Sequence, residues 1–233
     1  MLEKLKTEVC KANLDLVAQG LVLRTWGNVS GIDRERGLIV IKPSGVPYAG
    51  MKPRHMVVVS LADGNVVEGN LKPSSDTPTH RVLYQAYPSI GGVVHTHSLY
   101  ATAWSQACKS LPCYGTTQAD YWHGEVPCTR KMKPVEIKQN YELNTGKVII
   151  ETFKKMNCDP GQHPSVLVAS HGPFSWGHNP NNAVHNAAVL EFIARLASET
   201  LRINPNTSPI KTALIDRHFS RKHGPGASYG QSQ

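Results

Sequence analysis

The sequence predicts a layered α/β fold. Runs with helical periodicity alternate with short β-branched runs, no repeat or low-complexity linker interrupts them, and 233 residues suffice for one sizeable core. Hydrophobic residues at 40% and charged residues at 18% are ordinary for a globular protein. We therefore expect residues 1–233 to form a single domain in which helices cover a central sheet.

The first elements follow from local patterns. Apolar residues recur every three or four positions in residues 1–20, which predicts an amphipathic helix ending near Gly20. The stretch "TWGNVSG" (25–31) is rich in turn residues and is expected to be a loop. "LIVIKPSG" (38–45) and "MVVVSL" (56–61) are β-rich runs closed by turn residues, so each predicts a short strand.

The rest of the chain continues the alternation. Pro78 favours the first helical position and Pro88 cannot continue a helix, so "SSDTPTHRVLYQAYP" (74–88) predicts a helix of about three turns. The remaining predicted elements are, in chain order, a strand at 91–97, a helix at 98–108, a strand at 165–170, a long helix at 181–201, and a last helix opened by Ser208 and Pro209 and stopped by Gly224 and Pro225.

Charge and cysteine usage narrow the functional class. The formal charge is +8, but the lysines and arginines are scattered and no nucleic-acid motif accompanies them, so an anionic small molecule is the better expected partner. The five cysteines contain no C-x-x-C pair, which argues against a disulfide framework and a cysteine zinc site. No segment has the pattern of a signal peptide or a membrane span. We expect a cytoplasmic protein without nucleic-acid or membrane partners.

Two histidines stand at the end of the apolar run "GGVVHTH". If Val93 to His97 is extended, His95 and His97 project to the same face while Thr96 points away. Two neighbouring neutral imidazoles suit a metal ion. The alternative, that one ring caps a loop and the other hydrogen-bonds in the core, stays open on these residues alone.

His171 follows "SVLVAS" much as His97 follows "GGVV", so a third imidazole can reach the same region. Asp76, at a predicted helix start, can add a carboxylate. Three imidazoles and one carboxylate would leave a divalent cation with net positive charge, a suitable sink for charge on an enolate oxygen. Asp76 can equally be a simple cap of its helix at Thr79.

Three short loops are candidate phosphate sites. "GNVS" (27–30), "KPSG" (42–45) and "PSS" (73–75) offer backbone N–H groups with small polar side chains, and Lys42 adds a positive charge. Each loop alone is weak evidence for a phosphate site, because such residues usually form ordinary turns. Together, in a basic chain, they favour a phosphorylated ligand.

Long motifs follow one another in a fixed order along the chain: "TWGNVS", "KPSG", "MVVV", "VVEG", "KPSSDTPTH", "GGVVHTHS", "GTT", "ADY", "PCTR", "ELNTGKVIIETF", "HGPFSWG", "AVHNA" and "RKHG…YGQ". Together they resemble the class II aldolase/adducin family, and within it the 4-epimerases of pentulose phosphates. The resemblance covers nearly the whole chain and implies a three-layer α/β/α fold with a central mixed sheet. It also implies a homotetramer with active sites between subunits.

The resemblance carries three sets of functional residues onto this sequence. The zinc ligands, with a carboxylate beside them, would be His95, His97, His171 and Asp76. The phosphate-binding loops would supply Gly27, Asn28, Lys42, Ser44, Gly45, Ser74 and Ser75. The acid/base groups would be Asp120 and Tyr229, with His218 lying near them. Without the resemblance, Asp120 reads as a turn residue and Tyr229 as packing.

One departure from the family pattern lies beside Asp120. The family usually has a histidine where this chain has Gln118, and Trp122 and His123 follow Asp120. A neutral amide cannot take up a proton as imidazole does, so the charge around Asp120 is expected to differ from that of the family.

The resemblance implies interconversion of L-ribulose 5-phosphate and D-xylulose 5-phosphate. The C4 hydrogen is not next to the carbonyl, so its removal would leave an unstabilised anion. Retro-aldol cleavage and re-formation of the C3–C4 bond through a metal-bound enediolate avoids this difficulty. The physiological pathway, arabinose or ascorbate breakdown, stays open.

Two other functions stand beside the epimerase. A class II sugar-phosphate aldolase would release its two fragments, but such aldolases generally carry a glutamate where this chain has Asp76. A non-catalytic adducin-like interaction module would keep the fold without chemistry. It would have no physical reason to retain three histidines in metal-binding positions.

Overall fold

A seven-stranded sheet forms the centre of the protein. The computed structural model describes residues 2–225 and residue 227. Within these residues the strand order across the sheet is β4-β3-β2-β1-β5-β7-β6. The strands are β1 (Asn28–Asp33), β2 (Leu38–Ile41), β3 (Val57–Ser60), β4 (Val66–Glu68), β5 (Gly92–His95), β6 (Ser165–Leu167) and β7 (Pro173–Gly177).

The sheet is mixed, although antiparallel pairing dominates. Each pairing between neighbouring strands is antiparallel. A parallel bridge joins Cys128 to Leu167 on the edge strand β6. The expected layered α/β fold with a mixed central sheet is therefore confirmed.

The described residues contain eight α-helices, and a short 3₁₀ turn lies at Pro53–His55. Helices α2 and α6 pack together on one face, and α1, α3 and α7 on the other. The helices are α1 (Glu3–Ala18), α2 (Thr77–Ala86), α3 (Leu99–Ala107), α4 (Thr116–Ala119), α5 (Pro134–Lys138), α6 (Tyr141–Met156), α7 (Pro180–Ile203) and α8 (Thr212–His223).

Adjacent residues of the central strand β5 pack into two separate hydrophobic clusters, one on each face of the sheet. Val93 of β5 belongs to the cluster with Leu83 of α2 and Ile149 of α6. Its neighbour Val94 lies with Leu16 of α1 and Val184 of α7. This alternation is the period-2 geometry of a strand buried on both faces, and it explains why two consecutive residues of β5 are both apolar.

Helix α6 and strand β1 are among the elements that the sequence did not predict. The stretch predicted to be a loop becomes a strand at Asn28, although Ser30 and Gly31 have weak β propensity. It lies between β2 and β5 and is paired on both sides, so tertiary pairing overrides local preference. Gly31 is required there because an added Cβ would approach Cδ1 of Leu5 to 2.9 Å and Cγ of Pro180 to 2.8 Å.

Other boundaries also differ from prediction. Strand β6 ends at Leu167 rather than at residue 170, because the chain then turns through Ser170 with a positive φ of 62°. That turn leads into β7, which the pattern did not predict. The last helix begins at Thr212, not at Ser208 and Pro209.

A buried amide ties α1 to the strand that the sequence did not predict. The side chain of Asn13 is fully buried, and its Nδ2 donates to the carbonyls of Val9, at 2.8 Å, and Val29, at 3.1 Å. Its Oδ1 accepts the Val29 N–H at 2.9 Å. Because β1 carries Asn28 into the site described below, Asn13 fixes the position of that residue. None of the helices in the described part of the chain is long and apolar enough to cross a membrane.

We expect Asn13→Ala to lower the free energy of unfolding by about 1–3 kcal/mol, because it leaves buried backbone groups of Val29 without partners. Urea denaturation followed by circular dichroism measures this. Lys11→Ala, on the exposed side of the same helix, is the control and should stay within about 0.5 kcal/mol of the parent. Equal stability of the two variants would contradict the role given to Asn13.

Candidate active site and metal centre

One cavity of about 400 Å³ gathers polar residues from several loops and strand ends. Such a volume suits a small molecule. All eleven residues predicted from the sequence to bind metal or phosphate line it. The lining residues are Thr25, Trp26, Gly27, Asn28, Lys42, Pro43, Ser44, Gly45, Ser74, Ser75, Asp76, His95, His97, Tyr141, Glu142 and His171.

Three imidazoles form a compact cluster in this cavity. The ligand nitrogens of His95, His97 and His171 all lie within 4.8 Å of one another. His95 ends β5, His97 lies just beyond it, and His171 occupies the turn between β6 and β7. Because β5 pairs with β7, this turn is brought beside the end of β5. The cluster could hold a metal ion.

The surroundings of His95 leave one ring nitrogen for a ligand. Its Nδ1 lies 2.9 Å from the carbonyl oxygen of Pro173, so Nδ1 carries the proton and donates it. Phe174 stacks on the ring at a centroid distance of 4.2 Å. The remaining nitrogen, Nε2, lies 3.1 Å from Nε2 of His97. Two imidazole nitrogens this close fit a shared cation, which is what a metal site requires.

The protonation of the cluster also fits metal binding. Burial, followed by the proximity of His95 and His97, lowers the pKa of His171 to about 3. Burial and the neighbouring His95 also lower the pKa of His97. Both rings are thus neutral near pH 7, and the neutral imidazole is the form that binds a metal.

Asp76 occupies the position before α2 without capping the helix through its side chain. Its Oδ2 instead accepts a hydrogen bond of 2.7 Å from Nδ2 of Asn28. Burial raises the pKa of Asp76, but the nearby imidazoles of His95 and His80 and the bond from Asn28 outweigh burial and lower it. The ionised carboxylate therefore lies in the cavity beside the histidines, although it is outside the compact three-nitrogen cluster.

The two serine-containing loops are joined by their backbones. The N–H of Ser74 donates to the carbonyl of Lys42 at 3.0 Å, and the N–H of Ser44 donates to the carbonyl of Lys72 at 2.9 Å. This reciprocal pairing sets "KPSG" beside "PSS". The hydroxyl of Ser44 and that of Ser75 belong to exposed residues at the cavity wall. The loops thus present donors at one end of the cavity, as an oxyanion ligand requires.

Lys42 is the positive charge at that end. Its side chain is 2% exposed, and its Nζ lies 4.8 Å from the centre of the Tyr48 ring. Burial lowers the pKa of Lys42 to about 8. A buried ammonium without a carboxylate partner is costly unless an anion arrives, so this residue favours a phosphate in the adjoining space.

The loop that precedes β1 must approach the histidines closely. Gly27 has a φ of 100°, and an added Cβ would lie 2.7 Å from Cγ1 of Val22 and 3.0 Å from the carbonyl oxygen of His95. Its carbonyl accepts a 2.8 Å hydrogen bond from the Tyr48 hydroxyl. Gly27 is therefore a spacing residue that brings Asn28 against the cluster.

The predicted acid/base residues lie elsewhere. Asp120 and His218 do not line the cavity, and Tyr229 lies outside the described residues. Arg221 binds both carboxylate oxygens of Asp120 at 2.9 Å, and Nδ1 of His218 lies 3.0 Å from Oδ1. Burial alone would raise the pKa of Asp120. The hydrogen bonds from Arg221 and His218 outweigh burial and lower this pKa, so the carboxyl group is ionised.

Gln118 has a structural place beside Asp120. Its side chain is 4% exposed, and Nε2 donates to the carbonyls of Leu111, at 3.2 Å, and Gly124, at 3.0 Å. The residue that departs from the family pattern therefore braces the chain around α4. Arg221 supplies a positive partner for the nearby carboxylate, and His218 lies within hydrogen-bond distance of it.

The sequence did not single out several residues of the cavity. Tyr141 and Glu142 start α6, and Thr25 and Trp26 precede β1. Thr25 and Trp26 belong to "TWGNVS" and Glu142 to "ELNTGKVIIETF", but neither motif gave them a role, and Tyr141 reaches the cavity through the packing of α6. The Tyr141 hydroxyl lies 3.3 Å from Nδ1 of His171, and the Trp26 ring meets the His97 ring edge-on.

Comparison with known proteins identifies the family. The model of the class II aldolase and adducin N-terminal domain matches residues 7–198. The chain belongs to this family. Solved structures of class II aldolases have a similar fold. An L-fuculose 1-phosphate aldolase is 25% identical to this chain with a TM-score of 0.78, and the match covers 94% of this chain and 95% of the aldolase chain.

Curated relatives within the class II aldolase and adducin family match over the full length. An L-ribulose-5-phosphate 4-epimerase UlaF from Salmonella paratyphi A is 57% identical over 230 residues, covering 99% of this chain and 100% of that protein. The protein of the same name from Salmonella typhi matches to the same extent. An L-fuculose-1-phosphate aldolase from Thermus thermophilus, at 24% identity and a TM-score of 0.63, covers 89% of this chain and 99% of its own, and shows the fold alone.

We expect purified protein to hold about one divalent ion per chain and His97→Asn to lose most of it, because this change removes one nitrogen of the cluster. Elemental analysis after dialysis measures the content. His178→Asn, which alters an exposed imidazole outside the cavity, is the control and should keep the ion. Unchanged metal in His97→Asn would place the ion elsewhere.

Proposed function

We propose that this chain is a zinc-dependent L-ribulose-5-phosphate 4-epimerase, an isomerase that interconverts L-ribulose 5-phosphate and D-xylulose 5-phosphate. Full-length identity of 57% to curated proteins of that name supports the substrate. The mechanism is supported by one observation: three imidazoles and the two candidate phosphate-binding loops, "KPSG" and "PSS", line the same cavity. A sugar phosphate spanning the two ends would have its phosphate and its reacting carbons held at once.

His95, His97 and His171 would hold the zinc, with Asp76 beside them. When bound, zinc supplies a Lewis acid that polarises the ketose oxygens and stabilises negative charge on them. The set of nitrogen donors with one carboxylate is the kind zinc prefers, and the Nδ1 hydrogen bond of His95 already fixes its ring for that role. Asp76, held by Asn28, keeps its charge directed at the cluster.

The phosphate would lie on the backbone-paired loops. Lys42 would neutralise part of the dianion, and the Ser44, Ser74 and Ser75 segments would donate hydrogen bonds around it. Gly45, with a φ of 66°, lets its loop curve with no Cβ on the cavity side. Binding the phosphate at this end would orient C3 and C4 toward the histidines, where cleavage and re-formation of their bond occur.

The two acid/base groups of the reaction, Asp120 and Tyr229, would come from different chains. Asp120 and His218 are outside the cavity of their own chain, so a homotetramer with sites between subunits would supply them in trans. Arg221 keeps Asp120 ionised, which is the form that accepts a proton. Tyr229 would act on the opposite face of the substrate, since inversion at C4 needs proton transfer on two sides.

We propose further that residues 1–233 act as one catalytic domain in the cytoplasm. The single sheet to which all seven strands of the described residues belong supports the domain. The five cysteines are all free, which agrees with a reducing compartment.

A coupled assay with L-ribulose 5-phosphate on zinc-loaded protein tests the function. An epimerase should produce D-xylulose 5-phosphate without releasing aldehyde, which a parallel aldehyde-trapping assay measures. Release of glycolaldehyde phosphate in equal amount to substrate loss would make the protein an aldolase. Zinc binding without any turnover would favour the non-catalytic alternative.

We expect kcat/KM for L-ribulose 5-phosphate to fall as pH rises above about 8, the pKa of Lys42, because the neutral amine no longer attracts the dianion. Below that pH the ammonium is charged and binding is full. Lys42→Met should lower kcat/KM by about 10- to 100-fold at pH 7 and remove this alkaline limb. A pH–rate series on both proteins measures it, and a limb that persists in Lys42→Met belongs to another group.

We expect Asp120→Asn and Tyr229→Phe each to abolish epimerisation while metal content and assembly stay intact. If the two groups act from different chains, oligomers mixed from both mutants should regain partial activity, because some sites then combine an intact Asp120 with an intact Tyr229. Each mutant refolded alone is the control. Verified mixed oligomers without activity would assign both residues to one chain.

A further inference from the structure

Tyr141 is a cavity residue for which the proposed reaction has no role. Its hydroxyl oxygen lies 3.3 Å from Nδ1 of His171, and the two rings are tilted at a centroid distance of 5.9 Å. The residue is half-buried and lines the cavity together with Asp76. The hydroxyl therefore lies within hydrogen-bond distance of Nδ1 of His171, which leaves Nε2 as the other ring nitrogen.

The backbone of the turn that carries His171 does not fix the orientation of its imidazole ring. Ser170 adopts a positive φ of 62°, and the backbone bonds of the turn involve the N–H of Val168 and that of His171. These bonds fix the main chain but leave rotation of the imidazole to its side-chain contacts. His95, in contrast, has its Nδ1 held by the Pro173 carbonyl. A second metal-binding ring would need an equivalent acceptor.

We propose that Tyr141 is a positioning residue for His171: its hydroxyl oxygen accepts the Nδ1 proton and so directs Nε2 of that ring to the metal. This rests on the metal site of the proposed function. The role requires a neutral phenol, which keeps its own hydrogen and accepts through oxygen.

The segment before α6 holds Tyr141 in place. Asn140 adopts a left-handed conformation with a φ of 54°, and α6 begins directly after it. Nδ2 of Asn144, one turn into the helix, donates to the carbonyl of Glu136 at 3.1 Å. The carboxylate of Glu136 is in turn bound by Arg130. The tyrosine therefore stands on a braced helix start, which is what a positioning residue needs.

The test measures metal binding rather than turnover. Apoprotein is titrated with zinc in competition with a chromogenic chelator, and the visible absorption of the cobalt(II) form reports the ligand field. Tyr141→Phe keeps the ring and removes the hydroxyl, and we expect about tenfold weaker zinc binding and an altered cobalt spectrum. Tyr141→Leu, which also removes the ring, separates hydrogen bonding from packing.

A matched control exists in the same chain. The hydroxyl of Tyr121 lies 3.3 Å from Nε2 of His185, the same separation, outside this cavity. Tyr121→Phe should leave zinc affinity and spectrum unchanged. If Tyr141→Phe matches the parent in both measurements, or if only Tyr141→Leu differs, the positioning role is overturned while the metal site stands. If the parent itself binds no metal, the proposed metal site is overturned as well.

Discussion

The antiparallel pairing of β5 between β1 and β7 is the constraint on which the site depends. It sets Asn28 opposite His95 on one side and Phe174 opposite His95 on the other. The first neighbour holds Asp76, and the second stacks on the imidazole. One residue at the end of a central strand is therefore fixed from both sides by sheet hydrogen bonds. The turn with His171 and the helix with Asp76 then have a rigid reference.

Electrostatics divide the cavity into two ends. At one end His97 and His171 are neutral and lie beside an ionised carboxylate, which leaves room for a cation. At the other, Lys42 is a buried ammonium that lacks an acidic partner among its described contacts. One end of the cavity therefore favours a cation, and the other end favours an anion. A phosphorylated ligand with oxygens to share with a metal satisfies both demands.

The sequence predicts the layered fold, most of its helices apart from α6, and the residues that carry recognisable chemistry. Residues such as Lys42, Ser74 and His97 stand in short motifs, and the structure brings them into one cavity. The sequence does not predict β1, whose residues form a strand only because two neighbouring strands pair with it. Nor does it predict the position of Tyr141, which reaches the cavity through the packing of α6. The ion pair between Asp120 and Arg221 was equally hidden, since its partners are far apart in the chain.

The two loops at the phosphate end are held to each other by main-chain bonds between Ser74 and Lys42 and between Ser44 and Lys72. Because these bonds use no side chain, the scaffold does not depend on which hydroxyl or cation it displays. Exchange of a serine for another small residue can then retune ligand preference while the loop backbone stays fixed. Evolution or a protein engineer can vary specificity here separately from the histidines, whose rings are tied into the sheet and its turns.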